Sequence, residues 1–74
     1  MKTATIDQYH VFGTRNSHGV TVIYRGCVLW RTIANQSNSV QLLGAALRFC
    51  EGAGFTHWRR FDNVGGVRRV EVQA

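Results

Sequence analysis

The sequence predicts an α+β fold: an antiparallel sheet of four to five strands with one helix packed on one face, in the order β-β-β-α-β-β. Three observations predict it. Runs rich in β-branched and aromatic residues alternate with glycine-containing turns, while the segment Val40 to Glu51 repeats its apolar residues at helical spacing. A chain of 74 residues is too short to fill two hydrophobic cores, so residues 1–74 are read as one domain.

The first strand is Thr5 to Phe12, where Asp7 and Gln8 dilute the apolar pattern. A loop from Gly13 to Gly19 follows, then a strand from Gly19 to Tyr24, a tight turn at Arg25-Gly26 and a strand from Cys27 to Ile33. That turn sets Tyr24 opposite Cys27 and Val22 opposite Leu29 on one face, with Ile23 opposite Val28 and Thr21 opposite Trp30 on the other. The stretch Asn35 to Asn38 leads into the helix, capped by Asn38 or Ser39. Val40, Leu43, Leu47 and Cys50 form its apolar stripe, widened by Leu42, Ala46 and Phe49, with Gln41, Gly44, Arg48 and Glu51 opposite. Gly52 or Gly54 ends it, and in the Gly54 register Phe55 packs back on the last turn. The fourth and fifth strands, Thr56 to Phe61 and Val67 to Val72, are joined by a hairpin loop from Asp62 to Gly66.

Both faces of the central hairpin are apolar in this register. One helix covers only one of them, so the N-terminal strand, a second copy of the chain or a partner must cover the other, unless the sheet curls to bury both. A homodimer is compatible with this pattern.

Nine Lys and Arg against four Asp and Glu give a net charge of +5, and eight of the nine are Arg, Lys2 being the lysine. Arginine's planar fork suits phosphate, carboxylate and aromatic partners, though a soluble basic surface has the same composition. The charge gathers in the C-terminal hairpin. The simplest register across Asp62 to Gly66 pairs Phe61 with Val67, Arg60 with Arg68, Arg59 with Arg69, Trp58 with Val70 and His57 with Glu71. Arg59 and Arg69 then share a face with Phe61 and His57, and Arg60 and Arg68 share the face of Trp58. Like charges directly opposite repel, so this register calls for splayed side chains or a bridging anion. Tyr24-Arg25 and Trp30-Arg31 extend the mixture of rings and cations, a pattern shared by base-stacking surfaces and by ordinary amphipathic strands. The candidate partner-binding residues are Arg59, Arg60, Arg68, Arg69 and Trp58, with Arg25 and Arg31.

No enzyme is expected. Asp7, Glu51, Asp62 and Glu71 form no paired-carboxylate motif, and His57 opposite Glu71 is more simply a surface hydrogen bond than a catalytic dyad. Asn63-Val64-Gly65-Gly66 can expose backbone amides to an anion or serve as a plain turn. Cys27 and Cys50 with the scattered His10, His18 and His57 match no metal-ligand spacing, so no cofactor or metal is expected; a strand and a helix above it leave a Cys27–Cys50 disulfide open, with reduced thiols the favoured reading. With no apolar leader and no membrane-length segment, a cytoplasmic protein without membrane contact is expected.

Two resemblances bear on function. The hairpin turning at Arg25-Gly26 and running into the helix at Val40 to Glu51 resembles the three-strand-plus-helix DNA-reading domains at the N-termini of some phage integrases, which read the major groove with the sheet. The whole chain, proline-free, with an N-terminal hairpin, a central helix and a C-terminal hairpin from Thr56 to Val72, resembles small phage-encoded host-defence inhibitors, anti-CRISPR proteins among them. That resemblance implies a stoichiometric, non-catalytic inhibitor in a bacterial host. Its partner would be a larger protein or ribonucleoprotein complex that processes nucleic acid, blocked sterically through the basic hairpin surface. The alternative is a module that binds DNA or RNA directly with the same arginines. A structural homodimer is the third class.

Overall fold

The computed structural model describes residues 2–10, 17–35 and 39–74. Its elements are β1 (Thr3–His10), β2 (Ser17–Tyr24), β3 (Cys27–Asn35), α1 (Ser39–Gly52), β4 (His57–Val64) and β5 (Val67–Gln73). The α+β class, element order and helix are as the sequence predicts. The strands form one antiparallel sheet in the order β3-β2-β1-β5-β4. The N-terminal strand is therefore the middle of the sheet and not a cover for one face. It begins at Thr3, two residues before the expected start at Thr5; Val11 and Phe12 at its expected end lie outside the described residues, as do Gly13 to Asn16 of the expected loop and Asn38 of the expected cap.

Directly paired residues share a face, so the register sorts the side chains into rows. On the helix side one apolar row runs Trp30–Val22–Ile6–Val70–Phe61, and Ala4, Val72 and Trp58 make a shorter one. Leu42, Ala46, Leu47, Cys50 and Phe55 close over the buried members of these rows. Helix α1 lies over β2 and β3 and reaches β1. Val40, expected within the apolar stripe, is instead 76% exposed. The helix ends as Gly54 turns left-handed (φ 96°): Phe55 N–H donates to Cys50 C=O at 2.8 Å and Gly54 N–H to Glu51 C=O at 3.1 Å. That Schellman geometry folds Phe55 back into the core, 5.5 Å from the Tyr24 ring.

Two β-bulges correct the expected registers. Tyr24↔Cys27 and Ile23↔Val28 pair as expected, but Leu29 is passed over, and Val22 then meets Trp30 while Thr21 meets Arg31. The bulge turns Trp30 to the helix side, where it stacks on Phe49 with ring centroids 5.7 Å apart, and leaves Leu29 exposed. Burying the indole favours this arrangement over the unbulged one.

The second correction is in the C-terminal hairpin. Its turn is the two residues Gly65-Gly66, both at positive φ (58° and 81°), where only glycine sits without steric cost, so Asp62 to Val64 belong to the strand. Val64 pairs with Val67, Asn63 with Arg68, Asp62 with Arg69, Phe61 with Val70 and Arg60 with Glu71; past a bulge at Arg59, Trp58 pairs with Val72 and His57 with Gln73. No arginine faces an arginine across this hairpin, and no His57–Glu71 pair forms. The short turn places opposite charges at two cross-strand positions, which the five-residue loop would have opposed with like ones.

The face away from the helix is also corrected: its centre is polar. One row runs Arg31–Thr21–Asp7–Arg69–Asp62 across all the strands. Arg69 donates from Nε and Nη2 to the Asp7 carboxylate at 2.8 and 3.2 Å. The Tyr9 hydroxyl lies 3.0 Å from Thr21 Oγ1. Among the described residues, the large apolar side chains exposed on this side are Val28 and Ile33, both on the β3 edge.

Gly19 makes room for the Tyr9 ring, since a Cβ there would stand 2.5 Å from Tyr9 Cε2. Gly19→Ala should push the ring off Thr21 and cost about 1–3 kcal/mol by urea denaturation, the usual scale of overpacking. In a Tyr9→Ala background the same change should cost nothing, a double-mutant cycle that isolates the contact.

Candidate binding surface

The residues singled out by sequence do not converge on one surface. Trp58 and Arg68 are exposed on the helix side of the sheet, beyond the reach of α1. Arg69 and Arg31 belong to the polar row on the opposite face. Arg25 occupies the β2–β3 turn, at the other end of the sheet from the Gly65-Gly66 turn. Arg59 is the exposed extra residue of the β4 bulge, while Arg60 is described only by its backbone pairing with Glu71.

Their electrostatic roles differ as much as their places. Asp7 engages Arg69 with both oxygens, and that hydrogen bond and charge hold the guanidinium proton more tightly than usual. Arg69 thus locks β1 to β5. Arg25 adopts φ 52° and lies over the Tyr24 ring at 5.4 Å from its centroid. A left-handed conformation costs a non-glycine residue roughly 1–2 kcal/mol, a penalty that asparagine largely avoids. Arg25→Asn should therefore raise stability by about 1 kcal/mol, seen as a melting temperature higher by about 4–8 °C.

What the structure gathers is an aromatic pair on β4. The bulge at Arg59 brings Trp58 and Phe61 onto one face, with ring centroids 5.4 Å apart and planes tilted by 54°. Sequence reasoning placed these rings on opposite faces and missed Phe61. Its signal is the Trp-Arg-Arg-Phe spacing, which needs one bulged residue for both rings to meet the sheet. The inner sides of the rings lie along Val70 and Val72, both fully buried, yet Trp58 and Phe61 remain 52% and 53% exposed. β4 is an edge strand, so the pair stands beside backbone groups with no neighbouring strand.

Two hollows lie at the ends of the sheet. One of ≈ 280 Å³ at the Gly65-Gly66 end is lined by Gln8, His10, His18, Asn63, Gly66 and Arg68 among others, and another of ≈ 310 Å³ at the opposite end by Lys2, Thr3, Tyr24 and Arg25. His57 accompanies neither: its Nδ1 lies 3.1 Å from Thr56 Oγ1. Among the described residues no group of three or more His, Cys, Asp or Glu side chains could hold a metal ion, and no helix is long and apolar enough to cross a membrane. Both cysteines are free: Cys27 is exposed, and burial pushes the Cys50 thiol up from its ordinary pKa.

No family model, curated protein or solved structure matches the chain.

Proposed function

We propose that this chain is a small non-catalytic binding protein that docks through β4 on a larger protein or ribonucleoprotein complex and blocks it sterically. The half-exposed Trp58–Phe61 pair carries this reading. Large rings left half in water at the edge of a sheet are the composition of interface centres, where aromatic and arginine side chains dominate the binding energy. Arg59 and Arg68, both exposed beside them, supply the polar rim. The inhibitory role itself rests on the resemblance in size and element order to phage-encoded host-defence inhibitors.

Direct nucleic-acid binding through the same residues draws less support. Rings tilted by 54° offer no common plane for two successive bases, and Asp7 already engages Arg69. The two readings separate by salt. Docking on a protein surface should persist between low and physiological ionic strength, whereas phosphate contacts weaken steeply. The test captures the partner from a bacterial host lysate on tagged protein and repeats the capture with Trp58→Leu and Phe61→Leu. Retention of the same partner by the doubly substituted protein would remove β4 as the docking surface. A gel shift on DNA or RNA that vanishes with modest salt would favour the nucleic-acid module.

A further inference from the structure

The hollow at the Gly65-Gly66 end shares Arg68 with the rim of the docking surface, but its other donors have no part in that reading. We propose that it binds a phosphate group. Its lining brings together potential donors from four strands: Arg68 from β5, Asn63 from β4, and the His10 and His18 rings from β1 and β2. Arg68 pairs with Asn63 across one strand gap and with Gln8 across the other, and Gln8 leads along β1 to His10, which pairs with His18. The imidazoles stand perpendicular, centroids 5.0 Å apart, so their ring N–H groups diverge instead of competing for one direction.

Placement of the acids makes the hollow selective for anions. The chain has four carboxylate side chains. Asp7, Asp62 and Glu71 occupy register positions on the opposite face of the sheet, and Glu51 lies in the last turn of α1. None lines the hollow, so among the described residues nothing negative opposes a phosphate there. A volume of ≈ 280 Å³ accommodates a phosphate or pyrophosphate with part of its hydration shell. An arginine fork, a side-chain amide and two imidazoles are donors that suit phosphate oxygens.

The ligand chemistry is shared by free small phosphates and by the backbone of a polynucleotide. The experiment titrates the full chain, ¹⁵N-labelled and in chloride buffer, with pyrophosphate, and in a second arm with a short single-stranded oligonucleotide. Saturable shifts confined to His10, His18, Asn63, Gly66 and Arg68 are expected, weakened about tenfold or more by Arg68→Gln and by His10→Gln, both at exposed positions. Arg48→Gln, on the solvent side of α1, removes one charge elsewhere and should leave them unchanged. Oligonucleotide binding displaced by pyrophosphate assigns the phosphate to a polynucleotide; pyrophosphate binding alone assigns it to a small phosphate compound. Shifts that never saturate, that spread over all the arginines, or that survive Arg68→Gln would overturn the proposal. None of these readouts involves partner capture, so the phosphate site and the β4 docking surface stand or fall separately.

Discussion

Ile6→Ala is expected to leave the protein barely folded. Ile6 is fully buried on the middle strand, and both its cross-strand neighbours, Val22 and Val70, are fully buried too. It is thus the midpoint of the one apolar row that spans the sheet. Removing its outer carbons leaves a cavity that neither neighbour can fill from a β-branched side chain, and such truncations cost about 2–5 kcal/mol. A core in a chain of this size rarely contributes more than about 3–5 kcal/mol net. The two quantities are comparable, so the urea midpoint followed by circular dichroism should fall by more than half, or no cooperative transition should remain. Leu29→Ala, at the exposed bulge of β3, is the matched control and should move the midpoint little. A loss below about 1 kcal/mol for Ile6→Ala would show that the centre of stability lies elsewhere than the β2-β1-β5 row.

The difference between those positions marks how far the sequence could be read. Elements with local causes were legible: the helix from its repeat of Leu43, Leu47 and Cys50, its end from Gly54 and Phe55, and the first hairpin pairs from the Arg25-Gly26 turn. The central place of β1 was not. Asp7 and Gln8 argue locally against an inner strand, and the partner that makes Asp7 acceptable there, Arg69, is 62 residues away. Both bulges were missed for a related reason. Strict alternation sends Trp30 and Phe61 to the side away from the helix, and an extra residue at Leu29 or Arg59 is favoured only once α1, Val70 and Val72 are in place. For the candidate surface, composition draws attention to the C-terminal hairpin, where the Trp58–Phe61 pair also lies. The pairing of charges within it depended on a turn two residues long instead of five, and that choice converted supposed arginine–arginine pairs into Asp62–Arg69 and Arg60–Glu71 neighbours.

The bulge at Arg59, which sets Trp58 and Phe61 side by side, underlies the second large effect expected, on binding. Trp58 and Phe61 carry two loads, covering Val70 and Val72 on their inner sides and meeting solvent on their outer ones. Truncation to alanine would mix them, because it uncovers the valines as well as removing the rings. Leucine keeps an apolar cover over the sheet while deleting the flat outer surface. Together the half-exposed rings offer on the order of 200 Å² of apolar surface, far less than the roughly 800 Å² that each partner contributes to a standard interface. The pair is then the centre of the contact and not its whole extent. Aromatic residues at such centres commonly cost 2 kcal/mol or more when truncated, which corresponds to about a 30-fold loss of affinity. Trp58→Leu and Phe61→Leu should each weaken partner binding on that scale by isothermal calorimetry, with the urea midpoint nearly unchanged. Arg59→Ala, a rim position in the bulge, should act mainly through the association rate and its salt dependence. If the leucine variants lowered stability and affinity in step, the rings would be core cover alone, and a docking surface would have to be sought at the other exposed edge, where Val28 and Ile33 flank Arg31 on β3.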